Sequence, residues 1–228
     1  MATVPRLKKR KFIVYPTSDK RPMAETDDHR DLMVEVIDTL KIRYASYPRV
    51  YVSGNLLVFY EQGDRLRHLS PDVFVVKGVP KHNRENYLIW KERKGPDWIL
   101  ELTSRSTKEE DLDDKFWLYQ DKLKVREYFL FDPHVEYLDP PLMGYRLRQG
   151  KYKRIRPVDG RLPSQVLGLH LEQVAKTLRL HDPATGAWLP TPSEIREQAE
   201  EARLQAEEEN LRLRHELENL RRRLGESS

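Results

Sequence analysis

Three charged side chains stand where charge is costly to place. Asp72 follows Pro71 at the head of the apolar run Val73-Phe74-Val75-Val76, and Glu101 follows the run Trp98-Ile99-Leu100. If both runs are strands, alternation puts Asp72 on a face with Phe74 and Val76, and Glu101 on a face with Ile99 and Thr103. A carboxylate at the end of an apolar segment is expensive to bury unless it is paired or bound to a cation. Two of them at neighbouring strand ends offer hard oxygen ligands of the kind that Mg²⁺ or Mn²⁺ takes. Lys115 lies three residues after Leu112 and four before Tyr119, so it flanks the apolar face of a helix and can reach back to the sheet. Asp111, four residues earlier, is placed to hold it. Spacing alone leaves a plainer arrangement open, in which Asp72 caps a turn and Glu101 and Lys115 form an ordinary strand-to-helix ion pair.

Other chemistry is thinner. His29, on the buried edge of the first helix, and Glu61 join Asp111 as candidates to support the two acids from behind. His134, His170 and His181 share no metal-ligand spacing. Ser104 and Ser106 lack a Gly-x-Ser-x-Gly elbow, and neither a Walker loop nor a dinucleotide fingerprint is present. The absence of cysteine excludes disulfide scaffolds, thiolate zinc sites and thiol nucleophiles. Lys77, Lys81, Arg84, Lys91, Arg93 and Lys94 precede the Glu101 strand, interleaved with Tyr87 and Trp90. Basic residues among aromatics suit the gripping of phosphates and the stacking of bases; a solvated loop has the same composition.

The elements that must position these residues follow from periodicity. Thr26-Asp27-Asp28 caps a helix whose stripe is Leu32, Met33, Val36, Ile37 and Leu40. Val50-Tyr51-Val52 and Asn55 to Glu61 read as strands, with a turn at Gly63-Asp64. The Asp72 and Glu101 runs are two buried strands. Ser106-Thr107-Lys108-Glu109 is a capping box that opens a helix with Leu112, Phe116, Tyr119 and Leu123 on one side. Val125 to Phe131 is a further strand, and hairpins follow around Gly150 and around Ala184-Thr185-Gly186. Helix, hairpin, strand, strand, helix, strand predicts an α/β fold with a mixed central sheet flanked by helices.

Length and charge set the frame. With 228 residues, 38% hydrophobic and 34% charged, the chain has room for one ordinary domain and a polar extension. Residues 1–23 form a basic, proline-punctuated arm, in which Phe12 to Tyr15 can pair as a short edge strand; residues 24–192 form the folded domain. No run reaches the ~20 apolar residues of a membrane span, so a cytoplasmic protein without a membrane partner is expected. Residues 193–228 carry a net charge of −3, which leaves +7 on residues 1–192 and favours a polyanionic partner such as DNA. Within 193–224, Ile195, Ala199, Ala202 and Ala206 step by 4, 3 and 4, as do Leu213, Leu217, Leu220 and Leu224. Asn210 joins the two runs through one extra step of 4, the mark of a stutter in a coiled coil. A long C-terminal helix that pairs two chains into a homo-oligomer is expected, with antiparallel and intramolecular pairing left open.

Four segments carry a family likeness. Ser70-Pro71-Asp72-Val73-Phe74-Val75-Val76, Glu101-Leu102-Thr103-Ser104-Arg105-Ser106-Thr107, Asp111-x-x-x-Lys115-x-x-x-Tyr119 and Val125 to Pro133 occur in that order. Together, from about Asp28 to Leu171, they resemble a bacterial restriction-endonuclease family common in cyanobacteria, within the PD-(D/E)XK nuclease superfamily. The tail also resembles one that some members carry. The resemblance implies a restriction-endonuclease-like core, with Asp72, Glu101 and the main-chain carbonyl of Leu102 holding Mg²⁺ or Mn²⁺. It implies Asp72, Glu101 and Lys115 as catalytic residues of a metal-dependent endonuclease acting on DNA. One departure stands out: where the superfamily motif has lysine two residues after the glutamate, this chain has Thr103, and Lys115 matches a lysine moved to the following helix. A non-enzymatic nucleic-acid-binding or scaffold protein, assembled through its tail, is the alternative that Thr103 favours.

Overall fold

A computed structural model describes residues 13–18, 26–103, 113–136 and 138–225. Thr26 accepts a hydrogen bond from the His29 amide at 3.2 Å and caps helix α1 (Asp27–Arg43), whose expected stripe of Leu32, Met33, Val36, Ile37 and Leu40 is buried. Strand β1 (Val50–Ser53) follows. The expected strand over 55–61 shrinks to β2 (Val58–Phe59), which forms a hairpin with β3 (His68–Leu69) around Gly63. Next come β4 (Val73–Lys77), β5 (Tyr87–Leu88), the single turn α2 (Ile89–Glu92) and β6 (Trp98–Leu102). The short helix α3 (Lys115–Trp117) runs into a π-helical turn over Leu118–Lys122, and β7 (Glu127–Phe131) follows. The capping box at 106–109 lies outside the described residues.

Six more strands follow β7. β8 (Leu142–Arg148) and β9 (Lys151–Arg154) form the hairpin around Gly150. β10 (Leu162–Ser164), β11 (Leu169–Val174), β12 (Thr177–Asp182) and β13 (Ala187–Trp188) make an antiparallel four-stranded sheet. The central sheet has six strands in the order β1-β4-β6-β7-β8-β9, antiparallel throughout except for the β6–β7 pair. It is therefore mixed, as expected. A parallel neighbour needs a crossover, and the segment carrying Lys115 is that crossover.

Every residue of β6 and β7 is buried, because both faces of the sheet are covered. On one face Val73, Val75, Trp98, Leu100, Leu102, Phe129 and Phe131 pack with α1 and with Leu169, Leu171, Leu178 and Leu180 of the smaller sheet. On the other, Phe74, Val76, Ile99, Tyr128 and Leu130 pack with Tyr87 and Tyr119. Ile13 to Tyr15 form no strand. Tyr15 instead packs its ring 5.0 Å from those of Phe59 and Trp90 and accepts a bond from the Gly63 amide at 2.7 Å. Helix α4 (Pro192–Gly225) forms a compact unit of its own after Leu189.

Candidate active site

Strand direction brings the two acids together. β4 runs antiparallel to β6, with Val73 opposite Leu100, so the residue before β4 lies at the same sheet end as the last residues of β6. Asp72 accepts a hydrogen bond from the Leu102 amide at 2.7 Å, and its own amide donates to Glu101 Oε2 at 3.3 Å. Gly54 fixes the Asp72 backbone from the β1 side: a Cβ there would lie 1.9 Å from the Asp72 carbonyl oxygen, and the Asn55 amide donates to the Pro71 carbonyl at 2.9 Å. No residue with a side chain fits that approach.

Glu101 is fully buried and is gripped from the crossover. Lys115 Nζ lies 3.3 Å from its Oε2, and the Tyr119 hydroxyl donates to its Oε1 at 2.6 Å. The π turn, in which the Leu123 amide reaches back five residues to the Leu118 carbonyl at 3.0 Å, sits beside this contact; such turns are frequent at functional sites. From the other side of the sheet, His29 in the first turn of α1 brings Nε2 to 3.5 Å from Asp72 Oδ1. Asp72, Glu101, Lys115 and His29 thus meet at one sheet end. Tyr119 joins them, although its spacing marked it only as part of an apolar stripe. A buried tyrosine needs a partner for its hydroxyl, and that requirement was the signal available in the sequence.

The remaining candidates lie elsewhere. Glu61 is half-exposed and pairs with Lys122 at 3.3 Å. Asp111 lies outside the described residues. Thr103 is buried and donates through both its amide and its hydroxyl to the Phe131 carbonyl, at 2.8 and 3.3 Å, so it ties β6 to β7. The basic loop largely turns inward. Arg84 makes a two-pronged bond to Glu92 at 2.8 and 2.9 Å, lies 4.1 Å over the Tyr51 ring, and holds the Glu92 carboxyl below its ordinary range. Lys81 donates to the Tyr44 and Ala45 carbonyls, and Lys94 to the Lys77 carbonyl and to Asp97. Burial lowers the Lys77 ammonium, with Asp97 opposing the shift. Tyr87 is fully buried, with its hydroxyl on the Lys94 carbonyl at 2.8 Å, and so offers no surface for stacking. Lys91 and Arg93 remain exposed.

The oxygen donors suit a small divalent cation. Asp72 and Glu101 supply two carboxylates against one lysine. Stepping the β4–β6 register two residues on from Val73–Leu100 sets Leu102 opposite Pro71, which has no N–H to offer the Leu102 carbonyl. Among the described residues no three His, Asp or Glu side chains gather to hold a metal. Two carboxylates and one main-chain oxygen are the donors that could hold a cation here, and Mg²⁺ commonly fills its other positions with water and phosphate.

Comparison with known proteins places the chain in a family. The model of the Uma2 family, described as "Putative restriction endonuclease", matches residues 21–179. The chain belongs to the Uma2 family. Among solved structures it is similar to a crystal structure described as a putative nuclease of DUF820 from Anabaena variabilis, at 17% identity and a TM-score of 0.48, over 66% of this chain and 80% of that one. No curated protein matches the chain. Among the described residues no helix is long and apolar enough to cross a membrane. In this Uma2 chain, Asp72, Glu101 and Lys115 are among the residues that the sheet end gathers.

Proposed function

We propose that this Uma2 protein is a divalent-metal-dependent endonuclease that hydrolyses phosphodiester bonds in DNA. The observation that carries this function is the meeting of Asp72, Glu101 and Lys115, which are 29 and 14 residues apart in sequence, at one end of the central sheet. Asp72 and Glu101, with the Leu102 carbonyl, are the residues that would hold Mg²⁺ or Mn²⁺. When bound, such an ion polarises a phosphate and lowers the pKa of its water.

The chain's own groups do the rest. Lys115 keeps an ammonium against Glu101 Oε2, where it offsets charge that develops on the phosphate oxygens during attack. Its place beside a carboxylate favours the protonated form, so it serves as an electrostatic group rather than a base. Tyr119 fixes the other oxygen of Glu101 and so aims the carboxylate. His29 orients Asp72 from α1. Thr103, committed to the Phe131 carbonyl, leaves Lys115 as the lysine of the site. Of the exposed basic residues of the 77–94 loop, Lys81 is bound to the Tyr44 and Ala45 carbonyls, and Lys91 and Arg93 remain for phosphate contact.

Thr103 also favours a second function: a nucleic-acid-binding or scaffold protein that keeps the fold without cleavage. Supercoiled plasmid incubated with Mg²⁺ or Mn²⁺ separates the two. Nicking by wild type, lost in Asp72→Ala and in Lys115→Ala, supports the nuclease. Retained DNA binding with no cleavage of DNA or RNA supports the scaffold.

A further inference from the structure

Helix α4 carries leucines that nothing in one chain covers among the described residues. Leu213, Leu217 and Leu220 are each about half exposed, at 49%, 49% and 57%. A 34-residue helix that is polar elsewhere apart from Leu204 and Leu211, and that keeps such a stripe, is built to bury it against another helix. From Ala206 the spacing is strictly heptad: Ala206, Leu213 and Leu220 occupy d positions, and Asn210, Leu217 and Leu224 occupy a positions. That assignment fixes the flanks. Glu209, Glu216 and Arg223 fall at g, and Glu207, Arg214 and Arg221 at e. Arg203 is satisfied within the helix by Glu200 and Glu207, at 2.6 and 3.2 Å. Among the described residues, Glu209, Arg214, Glu216 and Arg221 have no such partner in their own chain.

Two features choose between the ways two copies can pair. In a parallel, in-register pair each g residue meets the e′ residue five positions on. Glu209 then faces Arg214 of the other copy and Glu216 faces Arg221, in both directions, so every g–e′ contact between charged residues is complementary. In an antiparallel pair that overlaps the same heptads, e meets e′ and g meets g′. Arg214 then faces Arg214, and Glu216 faces Glu216, at the centre of the contact, while Glu207–Arg221 and Glu209–Arg223 pair at its ends, so only the parallel register is free of like-charge contacts. Asn210 points the same way. Asn210 Nδ2 donates one N–H to the Ala206 carbonyl at 2.9 Å. The parallel register sets its second N–H and its carbonyl opposite those of its own copy, where one amide donates to the other's carbonyl, whereas the antiparallel one sets them against Leu220, facing hydrocarbon.

We propose that residues 206–224 of two copies of this chain form a parallel, in-register, two-stranded coiled coil, with Asn210 paired across its axis and Glu209–Arg214 and Glu216–Arg221 bridging its flanks. The occupant of the leucine stripe is a second copy. The pairing stands whether or not the protein cleaves DNA.

The chain has no cysteine, so single introduced thiols report on pairing cleanly. In the full-length protein, Ala206→Cys and Leu220→Cys are each expected to cross-link to a dimer under mild oxidation, because d residues meet their own copies only in the parallel register. No antiparallel register brings both together. Sedimentation equilibrium is expected to give twice 27.1 kDa. The double variant Glu209→Lys/Glu216→Lys and the double variant Arg214→Glu/Arg221→Glu are each expected to weaken the dimer at least about tenfold. Mixed together, they are expected to restore it as a heterodimer. A monomer or trimer in the wild type, a cross-link in one cysteine variant or in neither, or charge variants that pair equally well alone would overturn the proposal.

Discussion

Strands β6 and β7 lie side by side and each carries a buried glutamate, at opposite ends of the sheet. Glu127 opens β7 and is met by Arg146 Nε at 2.7 Å, the Ser164 hydroxyl at 2.5 Å and the amides of Gln165 and Val166 at 2.9 and 3.1 Å. Asp132, just past the far end of β7, is likewise surrounded by the amides of His134, Glu136 and Leu138. These carboxylates fasten loops to the sheet, and their charge is consumed by short donors. Glu101, near the end of β6, accepts from the Tyr119 hydroxyl at 2.6 Å and lies 3.3 Å from both Lys115 Nζ and the Asp72 amide. Asp72 beside it has one short bond, from the Leu102 amide. A structural carboxylate is saturated by fixed donors. At the β6 end two acids adjoin, Asp72 and Glu101, and the Asp72 amide links them at 3.3 Å; the cation of the proposed function would sit between such paired charges.

The sharpest break in this contrast is expected at Glu127. Glu127→Ala strands a guanidinium that is largely shielded from solvent, a hydroxyl and two amides, and is expected to destabilise the fold by about 3–5 kcal/mol, read from urea unfolding. Asp72→Asn and Glu101→Gln should behave in the opposite way. Each removes one of two adjacent negative charges and keeps the shape, so thermal stability is expected to hold or to rise. Cleavage is expected to fall by about 100-fold or more, and any rise in melting temperature that Mn²⁺ gives the wild type is expected to vanish. An Asp72→Asn protein that unfolds as readily as Glu127→Ala would show that the two ends of the sheet are built for the same purpose.

Gly54→Ala tests how firmly the site is anchored. Its Cβ would overlap the Asp72 carbonyl and the Ile37 side chain, so backbone must shift. A loss of about 1–3 kcal/mol is expected, with a larger fractional loss of cleavage than of stability, because the displaced residue is Asp72 itself. Equal losses would mean that the strain is absorbed on the Ile37 side.

Much of the arrangement was legible in the residues, and the gaps have physical causes. The stripe Leu32 to Leu40 and the apolar runs of β4, β6 and β7 announce a two-faced sheet with a helix on it, and the acids at their ends announce a site. What the sequence withheld was pairing. The hairpin of β2 and β3 joins β5 rather than the central sheet, a choice made by tertiary contacts among Val58, Leu69 and Tyr87. Arg84 and Lys94 read as a phosphate-gripping loop because composition does not reveal which cations fold back onto carboxylates and carbonyls. Tyr119 read as a hydrophobic residue because its ring is one; only the position of Glu101 gives its hydroxyl a purpose.

The smallest expected effect falls on that hydroxyl. Tyr119→Phe keeps the ring packed against Tyr128, whose centroid lies 4.9 Å away, and removes only the donor on Glu101 Oε1. One hydrogen bond to a carboxylate corresponds to about 1.5–3 kcal/mol. At Glu101 the loss is cushioned, because Lys115 remains on the other oxygen, so a drop of about 1 kcal/mol in stability is expected. If the bond serves to aim Glu101, the variant should need more Mn²⁺ for half-maximal cleavage and lose about tenfold in rate, a change equal to about 1.4 kcal/mol in the barrier. The rate should recover in part at high metal concentration, since a loosened carboxylate can still be captured by the ion. A variant that loses stability but keeps both its rate and its metal requirement would place Tyr119 with the saturated contacts around Glu127, and would leave Lys115 as the group that sets the direction of Glu101.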